Sequence, residues 1–208
     1  MKGKFITFEG CEGVGKSCQI RLLEQYLKDH NIEYYLTREP GGTEISEQIR
    51  SIILDKNNYK MADETEALLY ASARTQLVKE FLLPKLKDGK LVFCDRYLDS
   101  SFAYQCFARG VDMNFVKSVN AYAIDNCMPD YTVFLCLPPK QAFLRKGGVD
   151  TGDRVELSGM DFHEKVYNGY VELSKIYKDR FIVIDASGTK QETHQKIINA
   201  LKDKGVIK

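Results

Sequence analysis

The strongest constraint on this chain sits near its N-terminus, where residues 8–17 read FEGCEGVGKS. Gly10, Gly15, Lys16 and Ser17 satisfy G-x-x-x-x-G-K-[ST], with a short apolar run before the motif and a helix-patterned stretch after it. Such a segment folds as strand, loop and helix for a physical reason. The glycines let the backbone curl so that its N–H groups converge on an anion. The following helix adds unpaired N–H donors and the positive end of its dipole. Gly10, Cys11, Glu12, Gly13, Val14, Gly15, Lys16, Ser17 and Cys18 are therefore expected to cradle the phosphates of ATP. Lys16 would place a point charge on the β- and γ-phosphates, and Ser17 would offer a hard oxygen to Mg²⁺.

The rest of the pattern fits one α/β layer architecture. Apolar, β-branched or aromatic runs recur at residues 4–8, 33–37, 91–95, 131–137 and 181–185, separated by longer stretches of helical period. Strands that alternate with helices and are apolar on both faces predict a five-stranded parallel sheet flanked by helices on both faces. Helices are expected at 16–30, 63–83, 112–126, 162–177 and 190–202. In the second, Asp63 would cap with Glu66 three residues on, and Pro84 would end it. Leu68, Ala71, Val78 and Leu82 would form its core face, opposite Tyr70, Arg74, Leu77 and Phe81. Residues 145–159 hold four glycines and little apolar content, and read as a loop between helices that serves as a short lid. A length of 208 residues suits a single domain spanning 1–208.

Composition excludes some classes. A net charge of +1 gives no bulk attraction for a nucleic-acid polymer or an anionic membrane, so anion binding must be local. No run reaches the ~20 apolar residues of a membrane span, and none reads as a signal peptide, so the cytoplasm is the expected compartment. The six cysteines show no C-x-x-C spacing and are expected to be reduced thiols rather than a zinc site. His30, His163 and His194 lie on polar stretches and are expected at the surface.

The acceptor of the phosphate must be sought elsewhere, because switch GTPases, motors and small-molecule kinases share the glycine loop. Asp95 ends a buried strand and is the natural second ligand for Mg²⁺. Arg96 follows it directly, and Arg38 stands in TREPGGT, again just past a strand. Two guanidinium forks near the loop suit an acceptor that itself carries a phosphate. In EALLYASAR, Tyr70 and Arg74 are four residues apart on one helix face, a ring to stack on a base and donors to read it.

Taken together, FEGCEGVGKS, TREPGGT, EALLYASAR and DRYLDSSFAYQ, in this order and over nearly the whole chain, resemble the thymidylate kinase family of P-loop nucleoside monophosphate kinases. The resemblance implies transfer of the ATP γ-phosphate to dTMP with Mg²⁺, a homodimer, and a set of site residues. Glu12 would bind the sugar 3′-hydroxyl, Arg38 and Arg96 the dTMP phosphate, and Tyr70 would stack on thymine. Arg74 would donate to thymine O4, with Ser101 and Gln105 on the remaining base edge. Tyr104 would crowd the sugar C2′, and Pro40 and Arg50 would line the same pocket. Lys16 and Arg96, with Arg145 or Arg154 from the lid, would neutralise the transferring group. The chain departs from the family pattern at Gly13, where some members carry an arginine, and its lid is sparse in basic residues. Two alternatives stay open at this level: a related kinase for dUMP, UMP, CMP or a nucleoside, and a nucleotide-binding switch without an acceptor. No N/T-K-x-D guanine-reading motif supports a GTPase.

Overall fold

The computed structural model describes residues 3–146, 153–155 and 158–208. The expected lid therefore lies partly outside the described residues. Among those described, β1 (Lys4–Glu9), β2 (Tyr35–Arg38), β3 (Leu91–Asp95), β4 (Tyr131–Cys136) and β5 (Phe181–Asp185) form one sheet in the order β2-β3-β1-β4-β5, every pairing parallel. From β1 the chain lays β2 and β3 on one side and β4 and β5 on the other. Ligands of open α/β sheets bind beyond the carboxyl ends of the strands at such a reversal.

Alternation along each strand sorts side chains into two cores. Phe5, Val92, Cys94 and Phe134 face one side, while Ile6, Phe8, Phe93, Val133 and Leu135 face the other. Against the second core pack α1 (Lys16–Asp29) and α10 (Lys190–Asp203), through Leu23, Leu27, Ile197 and Leu201. Against the first pack α3 (Asp63–Leu77) and α9 (Met160–Ile176), through Ala67, Leu77, Val166 and Tyr170. Each fully buried large apolar side chain contributes about 1.5–3 kcal/mol, and both cores hold many. Among the described residues the remaining α-helices are α2 (Glu44–Leu54), α4 (Leu83–Lys87), α5 (Leu98–Ser101), α6 (Met113–Val119), α7 (Ala121–Asn126) and α8 (Pro139–Lys146), and a π-helical stretch, Phe102–Ala108, follows α5.

Four local expectations are corrected. The helix starting at Asp63 runs past Pro84, because a π-helical turn at Val78–Leu82 leads into α4, whose first turn accommodates a proline without needing its N–H. Its N-cap is Ala62 rather than Asp63, and Glu66 turns inward to 0 % exposure instead of closing a capping box. Leu68 is exposed, whereas Arg74 and Leu77 are buried, so the covered face is rotated from the apolar stripe. His163 is also buried, packed edge-on against Phe143 with ring centroids 4.9 Å apart.

Candidate active site

Parallel register assembles the site. Phe8 and Arg38 both lie opposite Asp95, so Glu9–Gly10, Glu39 and Arg96 leave the sheet along one rim. Gly15, at φ 97, is the residue before α1, a left-handed conformation that glycine adopts without a Cβ clash. The chain then enters α1 with Lys16 only 8 % exposed and no hydrogen bond to any protein acceptor among the described residues. Burial, and next the charge of Arg96, hold the Lys16 ammonium below its ordinary pKa. The Gly13 departure now has a cause. A Cβ there would meet the Ala142 carbonyl oxygen of α8 at 3.0 Å, and its φ is 74.

At the end of β3, Arg96 has a φ of 66, an uncommon conformation for a residue with a side chain, of a kind that collects at functional sites. Its backbone N–H donates to the Phe8 carbonyl (3.0 Å), which ties this corner to β1. The guanidinium turns under the glycine loop: Nη1 donates to the Gly10 carbonyl at 3.1 Å and to the Tyr170 hydroxyl at 3.4 Å, and Nη2 lies 3.7 Å from Glu12. It also stacks over the Tyr104 ring, 5.1 Å from the centroid. Beside it, Asp95 Oδ1 is buried without a hydrogen-bond partner among the described residues, and Ser17 is exposed. A buried carboxylate oxygen at the end of β3 and an exposed hydroxyl on the phosphate loop are oxygen donors of the kind that suit Mg²⁺, an oxygen-seeking ion that keeps most of its own waters.

Two clefts meet at Glu12. One runs along Gly13–Cys18, Arg145 of α8 and the loop before α10, including Ser187 and Thr189. The other is walled by Arg38, Pro40, Arg50, Tyr70, Arg96, Tyr104 and Gln105, and Asp153 and Val155 also line it. Four arginines line it: Arg38, Arg50, Arg74 and Arg96. Arg38 makes a half-exposed bidentate pair with Glu47 (3.0 and 3.1 Å), a contact of at most about 1 kcal/mol at such exposure. Three of its five N–H groups remain. Arg50 donates to the Pro40 carbonyl at 2.8 Å. Burial raises the phenolic pKa values of Tyr70 and Tyr104, so both rings stay neutral.

Several expected residues sit differently. Arg74 lines the cleft and donates to Glu39, Ser101, Asn120 and the Tyr97 carbonyl. These contacts make it an organiser of the cleft floor. Ser101 accepts from Arg74 and does not line the cleft. The two expected lid arginines are both held by protein acceptors, Arg145 at the edge of the glycine-loop cleft. Arg145 is held by the carbonyls of Ala186 (2.6 Å), Ser187 and Gly188. Arg154 is drawn to Glu66 (2.5 Å) and the Ile53 carbonyl (2.9 Å), because that buried carboxylate needs a counter-charge.

Sequence reasoning missed four participants. Glu9, fully buried, accepts from the Tyr97 N–H (2.8 Å) and from the Ser100 and Tyr170 hydroxyls (2.7 Å each), fixing the corner beneath Arg96. Burial, then Asp99, pushes its carboxyl pKa up. Glu39 and Asn120 hold Arg74, and Glu66 holds Arg154 and Gln105. An acid directly before the glycine loop was a visible signal for Glu9. The others announce themselves only through contacts distant in sequence.

A sheet of this order with such a loop at its centre defines a P-loop nucleotide-binding protein. The arginine-walled neighbouring cleft puts it in the P-loop kinase class. Residues 8–197 match the family model described as thymidylate kinase. The chain is 45% identical over 202 residues to a thymidylate kinase of Thermoanaerobacter sp. (strain X514), covering 97% of this chain and 98% of that one. It is 44% identical over 203 residues to that of Clostridium novyi (strain NT), covering 97% and 99%. It is also 44% identical over 208 residues to that of Bacillus velezensis (strain DSM 23117 / BGSC 10A6 / LMG 26770 / FZB42), covering 97% and 98%. The chain belongs to the thymidylate kinase family. Among the described residues, no helix is long and apolar enough to cross a membrane.

Proposed function

We propose that this chain transfers the γ-phosphate of ATP to dTMP, giving ADP and dTDP on the route to dTTP. The observation that carries this reading is the meeting of two clefts at Glu12, one lined by the glycine loop and one by Arg38, Arg50 and Arg96. An acceptor phosphate entering from the arginine side faces the terminal phosphate held on the loop. That phosphate is already ionised at neutral pH, so the site needs no strong general base. Its work is alignment and charge neutralisation.

Backbone N–H groups of the loop and Lys16 hold the donor phosphates. Arg96, braced by Gly10, Tyr170 and Glu12, stands between donor and acceptor and neutralises charge on the transferring group. Such an arginine is typically worth ~10³–10⁵ in rate. Arg38 and Arg50 orient the acceptor phosphate, Tyr70 covers the base, and Tyr104 crowds the sugar. Ser17 and Asp95 would hold Mg²⁺, which supplies charge neutralisation at the donor phosphates when bound. Ile45 and Ile52 on α2 and Leu68 on α3 are 45–50% exposed, and they support a homodimer with this face covered. The cysteines are all free thiols, in keeping with the cytoplasm.

A coupled ADP-release assay with MgATP and a panel of dTMP, dUMP, UMP and AMP tests the reading. dTMP should stimulate ADP release far above the others. Release at one slow rate whichever monophosphate is present would show a nucleotide-binding switch instead.

A further inference from the structure

One polar group in the acceptor cleft has its direction dictated by a residue outside the cleft wall. Glu66 is 0 % exposed on α3 and accepts from Gln105 Nε2 at 2.8 Å, from Arg154 at 2.5 Å and from Arg109 at 3.3 Å. Held between two guanidinium groups, this carboxylate has only acceptors to offer. The Gln105 amide must therefore turn its NH₂ toward Glu66, whichever way an isolated amide would settle. That leaves Gln105 Oε1 without a protein partner among the described residues, on a side chain that lines the cleft beside Tyr70 and Tyr104.

We propose that Glu66 is a positioning residue that sets base selectivity, by holding the Gln105 amide with its oxygen facing the acceptor base. The proposal rests on the dTMP-acceptor reading above. Thymine and uracil carry an N3–H donor, which a fixed carbonyl oxygen accepts. Cytosine presents a lone pair at N3, which the same oxygen repels. Rejection of the wrong base then comes from an unpaired buried polar group, which is a stronger discriminator than cleft shape alone. The methyl group of thymine is outside this device, so dUMP and dTMP are separated by other contacts.

The test compares kcat/KM of the full chain for dTMP, dUMP and dCMP at saturating MgATP, in wild type, Glu66→Gln, Glu66→Asp and Gln105→Met. Glu66→Gln is isosteric but can donate as well as accept, so the Gln105 amide is free to flip. The dTMP-to-dCMP ratio should fall by about tenfold or more, with KM for ATP unchanged. Glu66→Asp keeps an acceptor-only group and should retain most of the ratio. Gln105→Met removes the reader and should lower the ratio even if Glu66→Gln does not fold. A parallel loss on both substrates in Glu66→Gln, with the ratio intact, makes Glu66 merely structural and overturns the proposal, as does a full ratio in Gln105→Met. Wild type that fails to use dTMP at all would instead sink the acceptor assignment, and the selectivity proposal with it.

Discussion

Arg74 grips Glu39 from two nitrogens of one guanidinium, Nε at 2.8 Å and Nη2 at 2.6 Å, with both side chains at most 3% exposed. The pair floors the acceptor cleft and ties α3 to the turn after β2, thirty-five residues away in sequence. Arg74→Ala should therefore act first on stability. Breaking a buried pair by removing one partner leaves the other uncompensated and costs about 3–5 kcal/mol. Here the loss also strips a donor from Ser101 and Asn120. Urea denaturation of Arg74→Ala against wild type measures it. A variant as stable as wild type with only its dTMP affinity reduced would return Arg74 to the role of base reader.

Glu39 adds a pH dependence to the same pair. Burial outweighs Arg74 and lifts its carboxyl pKa from an ordinary 4.5 to about 7. The native state thus holds a proton in the window from 4.5 to about 7 that the unfolded state has released. Glu39's contribution is fully present below pH 4.5 and is lost as pH rises through about 7. Relative to Glu39→Gln, which cannot ionise, wild type should lose stability steadily across that window. Chemical denaturation of both proteins at several pH values checks this, and a difference that grows in favour of wild type with rising pH contradicts it.

The glycine loop and the strand–helix alternation were legible because they are local. A loop motif fixes its own backbone, and doubly buried strands show as apolar runs whatever follows them. The base end of the cleft was not legible in the same way. Arg74 meets partners 35, 27 and 46 residues away, and only the crossover of the parallel sheet brings them together. Glu66 looked like half of a capping box because its spacing from Asp63 allows one. In the structure, Arg109, Arg154 and Gln105 offer it better partners than a helix N-terminus does. The covered face of α3 was misjudged for the same reason: a buried arginine with a full set of acceptors behaves as core, and Leu68 turns outward.

Lys16 presents the opposite case to Arg74. It is almost buried, makes no hydrogen bond to protein among the described residues, and has its charge disfavoured by burial and by Arg96. Lys16→Ala should leave the fold about as stable as wild type, since it removes a buried cation whose charge burial disfavours. Turnover should fall by roughly 10²–10³ or more, the scale of losing one preorganised charge at the transferring group. Paired kcat and thermal-denaturation measurements separate the two effects. Retained turnover in a folded Lys16→Ala variant would falsify the glycine-loop assignment.

Asp95 carries the last prediction, because its position allows a clean separation of metal from fold. Its Oδ1 is buried with no hydrogen-bond partner among the described residues, so no bond to them is lost when that oxygen changes chemistry. Asp95→Asn is near-isosteric and removes one negative charge from a rim that already holds Lys16 and Arg96. If Asp95 serves the ion, the Mg²⁺ concentration for half-maximal rate should rise by about tenfold or more, the scale of losing one charged contact. Stability without nucleotide should change little. If Asp95 instead only offsets the charge of Lys16, ATP affinity should fall while the Mg²⁺ dependence keeps its midpoint. Titrating Mg²⁺ against rate at saturating dTMP, alongside ATP binding measured without dTMP, tells the two apart. An unmoved midpoint would remove Asp95 from the metal site.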